Sequence, residues 1–172
     1  MVRHSSPFAG RYTRYVLSVL LLGLLGPLIM WDSGIGYSLF SIFLAVLFTI
    51  GYDALIIKIA EQKAEKMVEE KSSLIVHAVM HGPERKGFIV FTEGFVLFVP
   101  TWNKIKTIFD AKRIVRHQFD GQFVELTVRF PNKHRMFQFS VSEPEKVKLM
   151  LTEKSGESLP YKYDKMKKNE NV

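Results

Sequence analysis

Residues 87–100 read "GFIVFTEGFVLFVP", and how they fold decides what class of chain this is. Neither face of the stretch is polar. Its 14 residues are too few to cross a bilayer as a helix, which takes about 20. Thr92-Glu93-Gly94 divides it into two runs of five, Gly87–Phe91 and Phe95–Val99. The pattern predicts a hairpin of two well-buried strands, with Gly94 supplying a positive φ in the turn.

The flanking sequence supports a β-rich domain. Leu74, Val76, Ala78 and Met80 alternate with Ile75, His77, Val79 and His81, and "FVELTVRF" and "RMFQFSV" show the same period of two. Asp120-Gly121 signals a hairpin, and residues 130–135, "FPNKHR", form a turn. "SEPEKVKLMLTEK" closes the domain as a helix. Ser142 and Glu145 have capping-box spacing, and Val147, Met150 and Leu151 form one apolar stripe. Six or seven antiparallel strands followed by one helix suggest a small plugged barrel or bent sandwich.

The N-terminal third is of another kind. Residues 1–57 carry only Arg3, Arg11, Arg14, Asp32 and Asp53 as ionised groups, although the whole chain holds 24 Lys and Arg against 17 Asp and Glu. Tyr15–Trp31 is 17 residues without a charge, and Ile35–Ile57 is 23 residues with one. Both lengths suit a membrane-spanning helix. So short a link between them demands an antiparallel hairpin. A cleaved signal peptide is the alternative for the first span, but no small-x-small cleavage site follows it. Arg3, Arg11 and Arg14 precede the first span, and Lys58, Lys63, Lys66 and Lys71 follow the second. The positive-inside rule then places both ends in the cytoplasm.

These readings divide the chain into a basic cytoplasmic N-terminus (1–14), a two-helix transmembrane hairpin (15–57), a helical stalk (58–72), a cytoplasmic domain (73–154) and a basic polar tail (155–172). Asp53 is the one charge inside the spans. It is either a proton or ion relay or an interfacial carboxylate paired with Arg14, and its position near the helix end favours the second. Pro27 with Gly23 and Gly26 implies a kink or a close helix contact.

No catalytic constellation is visible. His77 and His81 lie on a strand, where four residues span about 13 Å, too far to share an ion. No phosphate-cradling glycine motif occurs, and the absence of cysteine excludes thiolate chemistry. No cofactor or metal is expected. Basic clusters are the informative feature: Arg85 and Lys86; Lys112, Arg113 and Arg116; Lys133, His134 and Arg135; and Lys162, Lys165, Lys167 and Lys168. Ordinary loop solvation is the plain alternative. Nucleic acid is not the expected partner, since Phe88, Phe91, Phe95 and Phe98 read as core rather than as a stacking platform.

"VFTEGFVLFVPTWNKIKTI", with Thr92-Glu93-Gly94 followed by Trp102, Ile105 and Ile108, resembles bacterial pleckstrin-homology-like domains, in particular the YcxB-like membrane proteins. The layout of two membrane helices and then the domain is similar too. The resemblance implies a membrane α-hairpin plus an all-β or α+β domain: a PH-like barrel of about seven antiparallel strands with a C-terminal capping helix. It implies no established catalytic activity. By similarity Arg85 and Lys86 are the headgroup candidates, although the K-x-n-R-x-R pattern of lipid-binding PH domains is absent. The expected function is non-enzymatic. The cytoplasmic domain would bind a protein partner or anionic lipid at the inner membrane surface. The alternative is an immunity-type or small transport-associated protein acting through the hairpin, with Asp53 as the discriminating residue.

Overall fold

The computed structural model describes residues 9–82 and 85–155. Arg3 and the tail lysines Lys162, Lys165, Lys167 and Lys168 lie outside the described residues. The chain divides into two compact units, one up to Ala60 and one from Glu61 onward.

The first unit is a helical hairpin. Helix α1 (Ala9–Ser18) widens into a π-helical turn, Val19–Leu25, and returns to α-helix in α2 (Gly26–Ile29). The wide turn ends where the Gly26 N–H reaches Leu21 O, just before Pro27, which has no N–H to offer. A short 3-10 turn, Trp31–Ser33, and Gly34 at φ 112° reverse the chain. Helix α3 (Ile35–Val46), a second π-helical turn (Leu47–Gly51) and α4 (Tyr52–Val68) follow as one continuous rod. The first helix therefore starts before Tyr15, so Arg11 and Arg14 ride on it rather than precede it. "AGRYTR" holds no proline and its one glycine falls in the first turn, and both arginines find a partner on the second rod.

Burial in the hairpin is inverted relative to a water-soluble helix pair. Ser18, Ser38, Ser41, Ala45 and Asp53 are buried, whereas Leu20, Leu28, Ile29, Phe40, Phe43 and Ile50 are exposed. The seam is built from small residues. A Cβ on Gly26 would lie 2.0 Å from Ser41 Oγ, and one on Gly23 would lie 3.6 Å from Ala45 Cβ. Hydroxyls bridge the seam: Ser41 Oγ donates to Leu22 O at 2.6 Å, and Ser18 Oγ and Thr49 Oγ1 are 3.0 Å apart. The Gly23–Gly26 region is thus a close helix contact.

The second unit holds seven antiparallel strands: β1 (Ser72–Met80), β2 (Arg85–Thr92), β3 (Phe95–Pro100), β4 (Thr107–Asp110), β5 (Ile114–Asp120), β6 (Phe123–Phe130) and β7 (Lys133–Val141). Their order is β4-β3-β2-β1-β7-β6-β5. The sheet curls round one core. Phe109 on β4 and Ile114 on β5, its two edge strands, share that core with Val147 and Leu151 of the terminal helix α5 (Pro144–Ser155). This is the PH-like arrangement of seven strands and a capping helix.

Residues 87–100 form the β2–β3 hairpin, paired from Phe91↔Val96 to Gly87↔Pro100. Both faces are buried. Ile89, Phe91, Val96 and Phe98 belong to the core, while on the opposite face Phe88, Val90, Leu97 and Val99 are 2, 0, 0 and 1% exposed.

The turn between them is not built as expected. Among the described glycines only Gly34, Gly82 and Gly121 have positive φ, so Gly94 is not present for that reason. Its N–H donates to the Glu70 carboxylate at 2.8 Å, and a Cβ there would lie 3.1 Å from Glu70 Oε1. Thr92 Oγ1 accepts the Phe95 N–H at 3.1 Å and closes the turn. Glu70 can reach it because α4 stops at Val68, short of Lys71. Glu69 takes the left-handed conformation, φ 57°, and ends the helix. Glu61 and Glu65 then hold the first residue of β1: Ser72 Oγ donates to Glu61 Oε1 at 3.0 Å, and Ser72 N to Glu65 Oε1 at 3.1 Å. The acidic residues of the stalk thus do more than solvate it.

The Gly94 N–H, then the Thr92 hydroxyl, hold the Glu70 carboxyl below its ordinary range against a smaller desolvation effect, and the nearby Lys154 charge adds least. A carboxyl so depressed contributes stability that is complete above its unfolded value, about 4.3, and is lost as pH falls through the folded value. Melting temperature measured from neutral pH down to pH 3 should therefore fall more steeply for wild type than for Glu70→Gln below about pH 4.3. Parallel curves would show that this contact contributes nothing.

Ser142 departs from the capping-box expectation. Its hydroxyl is buried without a hydrogen-bond partner among the described residues, and its N–H donates to His77 O at 3.0 Å. Ser142 follows directly on Val141, the last residue of β7, and the helix begins two residues later at Pro144.

Candidate functional site

Strand register sorts the basic residues of the β domain into two groups. At the first, Arg85 pairs with Met80 and Lys86 with Val79 at the start of β2. Thr101 then ties the loop after β3 to the same place: its N–H and its hydroxyl both donate to Lys86 O, at 3.1 and 3.2 Å. That loop presents Trp102, 84% exposed, together with exposed Lys104 and Lys106. At the second, Lys133 faces Phe130, and Ile114, Val128 and Arg135 form one row across β5, β6 and β7. Arg113 immediately precedes that row. The Arg135 guanidinium lies 5.4 Å over the Phe130 ring. Lys112 is exposed on the 3-10 turn that follows β4 (Ala111–Arg113). Arg116 is partly buried and donates to Gln118 Oε1 at 3.1 Å.

Trp102 is the residue that motif reading missed. It shares the motif with Ile105 and Ile108, yet it projects into solvent while Ile108 enters β4. The available signal was its company. A tryptophan flanked by lysines, and bracketed by a strand-ending Pro100, has the composition of an interfacial anchor, with an apolar body, a polar tip and cations beside it.

His81 Nε2 lies 2.8 Å from Ser140 Oγ, and the His77 ring lies 4.5 Å from the Phe88 ring, tilted by 42°. No cluster of three metal-ligating side chains occurs among the described residues. Burial, with Lys148 nearby, holds His117 below the ordinary imidazole range.

In the hairpin, Asp53 is enclosed by first-helix residues. Arg14 Nη2 bonds one carboxylate oxygen and the Tyr15 hydroxyl bonds the other, which Arg11 Nε approaches at 2.7 Å. The Arg14 guanidinium lies 4.3 Å over the Tyr52 ring. Both carboxylate oxygens are engaged.

No protein-family model matches this chain, and no curated protein matches it. Among solved structures, the C-terminal domain of an unknown protein from Leishmania infantum is similar at TM-score 0.47 and 10% identity, over 56% of this chain and 94% of that one. The DH/PH domains of p115-RhoGEF are similar at TM-score 0.46 and 7% identity, over 71% of this chain and 48% of theirs. A mutant of the same domains gives 0.46 and 9%, over 86% and 56%. This chain thus spans about half the length of the p115-RhoGEF chains. The PH-like reading rests on strand order and core, not on these similarities.

Proposed function

We propose that this is an integral membrane protein, with a two-span hairpin that tethers a non-enzymatic PH-like binding domain to the cytoplasmic face of a cell membrane. The inverted burial of the hairpin carries the reading. Leucine, isoleucine and phenylalanine exposed along two long helices, with serine, glycine and aspartate between them, is the distribution that lipid rather than water selects. Orientation follows from the basic residues at both ends. The Thr92-Glu93-Gly94 turn and the layout support kinship with the YcxB-like proteins.

The ligand is anionic lipid at the same membrane, met by Arg85, Lys86, Lys104 and Trp102, with Lys112, Arg113, Arg116, Lys133 and Arg135 as a second basic surface. Tethering makes even a weak contact effective, because domain and lipid meet at high local concentration. The double engagement of Asp53 supports an anchoring rather than a transporting hairpin. A fragment of residues 61–172 should co-sediment with vesicles containing phosphatidylglycerol and not with phosphatidylcholine alone, and salt should weaken it. Neutralising Arg85 and Lys86 should cost about 1 kcal/mol each, roughly fivefold per residue. Indifference to lipid charge would transfer the role to a protein partner.

A further inference from the structure

The hairpin carries a charge imbalance that the binding domain does not explain. Arg11 and Arg14 share one carboxylate, Asp53. The other carboxylate in residues 1–60, Asp32, sits in the 3-10 turn at the far end of the hairpin. One positive charge of the cluster is therefore left without a counter-charge in this unit, at the end of a long apolar segment.

Arg14 also lines an open groove of about 600 Å³. Thr13, Leu17, Leu21, Leu22 and Phe48 are among its other lining residues. Thr13, Leu17 and Leu21 recur every four residues along the first helix, and Phe48 comes from the π-helical turn of the second. The groove thus runs from a cation into hydrocarbon surface, and its size falls within the roughly 300–1,000 Å³ typical of small-ligand sites. Arg14 is held for such a task. One end of its guanidinium is fixed by Asp53 and its plane lies against Tyr52, while Nε is buried without a hydrogen-bond partner among the described residues and the side chain as a whole stays 30% exposed.

We propose that this groove binds an anionic glycerophospholipid, with its phosphate at Arg14 and one acyl chain along Leu17, Leu21 and Phe48. The charge supports that occupant. A neutral amphiphile fills the apolar part but leaves the net positive charge in place, and an anion without a chain leaves the leucines uncovered. Asp53 is here a positioning residue, which turns Arg14 toward the ligand and reduces two like charges to one. The site shares no residue with the Trp102 surface. It rests on the membrane reading of the hairpin.

The test uses the full chain purified in detergent and examined by native mass spectrometry with phosphatidylglycerol, phosphatidylcholine or inorganic phosphate. Phosphatidylglycerol should be retained as one molecule per chain, about tenfold over phosphatidylcholine, equivalent to one charge-assisted hydrogen bond. Leu21→Trp fills the groove and leaves the charges, and should abolish retention. The variant Arg14→Gln leaves Arg11 and Asp53 as a neutral pair, and should erase the preference between the lipids. Equal retention of both lipids by wild type, unchanged retention in both variants, or phosphate that competes as well as lipid would each overturn the proposal. A chain that stays monodisperse without detergent would instead overturn the membrane reading beneath it.

Discussion

Gly87→Ala is expected to destabilise the β domain by about 3 kcal/mol, at the upper end of the usual cost of overpacking. A Cβ at this position would lie 2.3 Å from Val99 O and 2.8 Å from Pro100 Cα. Both obstacles are backbone, so no rotamer change relieves them. Gly87 has ordinary strand φ, and what requires glycine is the close approach of β3. Urea unfolding of residues 61–172 followed by far-UV circular dichroism should show the midpoint about 2 M lower than wild type, with Lys86→Ala as a neutral neighbour. A midpoint within about 0.5 M of wild type would mean that the strands separate freely there.

Phe91→Ala should cost about 3–5 kcal/mol, the range for emptying a buried aromatic site. Phe91 is 0% exposed, lies in the same core as Val147 and Leu151 of α5, and is paired on one side with Leu74 and on the other with Val96. Neither neighbouring strand can fall inward without breaking register. Phe91→Leu should lose far less, and Met136→Ala, on an exposed position, should stay within about 0.5 kcal/mol. If Phe91→Ala and Met136→Ala unfold at the same denaturant concentration, residues 87–100 are not the centre of this core. Both core variants also bear on function, because an unfolded domain leaves the hairpin intact. Membrane insertion should survive while vesicle binding by the domain is lost.

Much of this architecture was legible in the sequence. The two apolar runs, the period-two strands at 124–130 and 137–141, and the Val147/Leu151 stripe all follow from local patterning, because burial imposes its period on the chain. Gly121 was legible too. It has φ 56° in the two-residue turn joining β5 and β6, where the backbone requires a residue without a Cβ penalty. Strand β4 was harder to see, since four residues, "TIFD", are too few to show a period.

The candidate site was less legible. Arg85 and Lys86 stand out as a basic pair, but their proximity to the Trp102 loop arises from two hydrogen bonds between Thr101 and Lys86, and no spacing rule encodes that. Nor does sequence distance join Arg14 to Asp53, or Glu70 to Gly94.

Taken alone, the order of residues determined which segments suit lipid, which alternate as strands and where one helix closes the domain, because these depend on transfer free energy and on periodicity within a few residues. Tertiary structure decided why Gly94 and Gly87 are glycines, that Trp102 faces out, and that one carboxylate answers two arginines. Those outcomes depend on close approach between distant segments, where a clearance of one methyl group or the direction of one N–H determines the residue, and no local pattern records either.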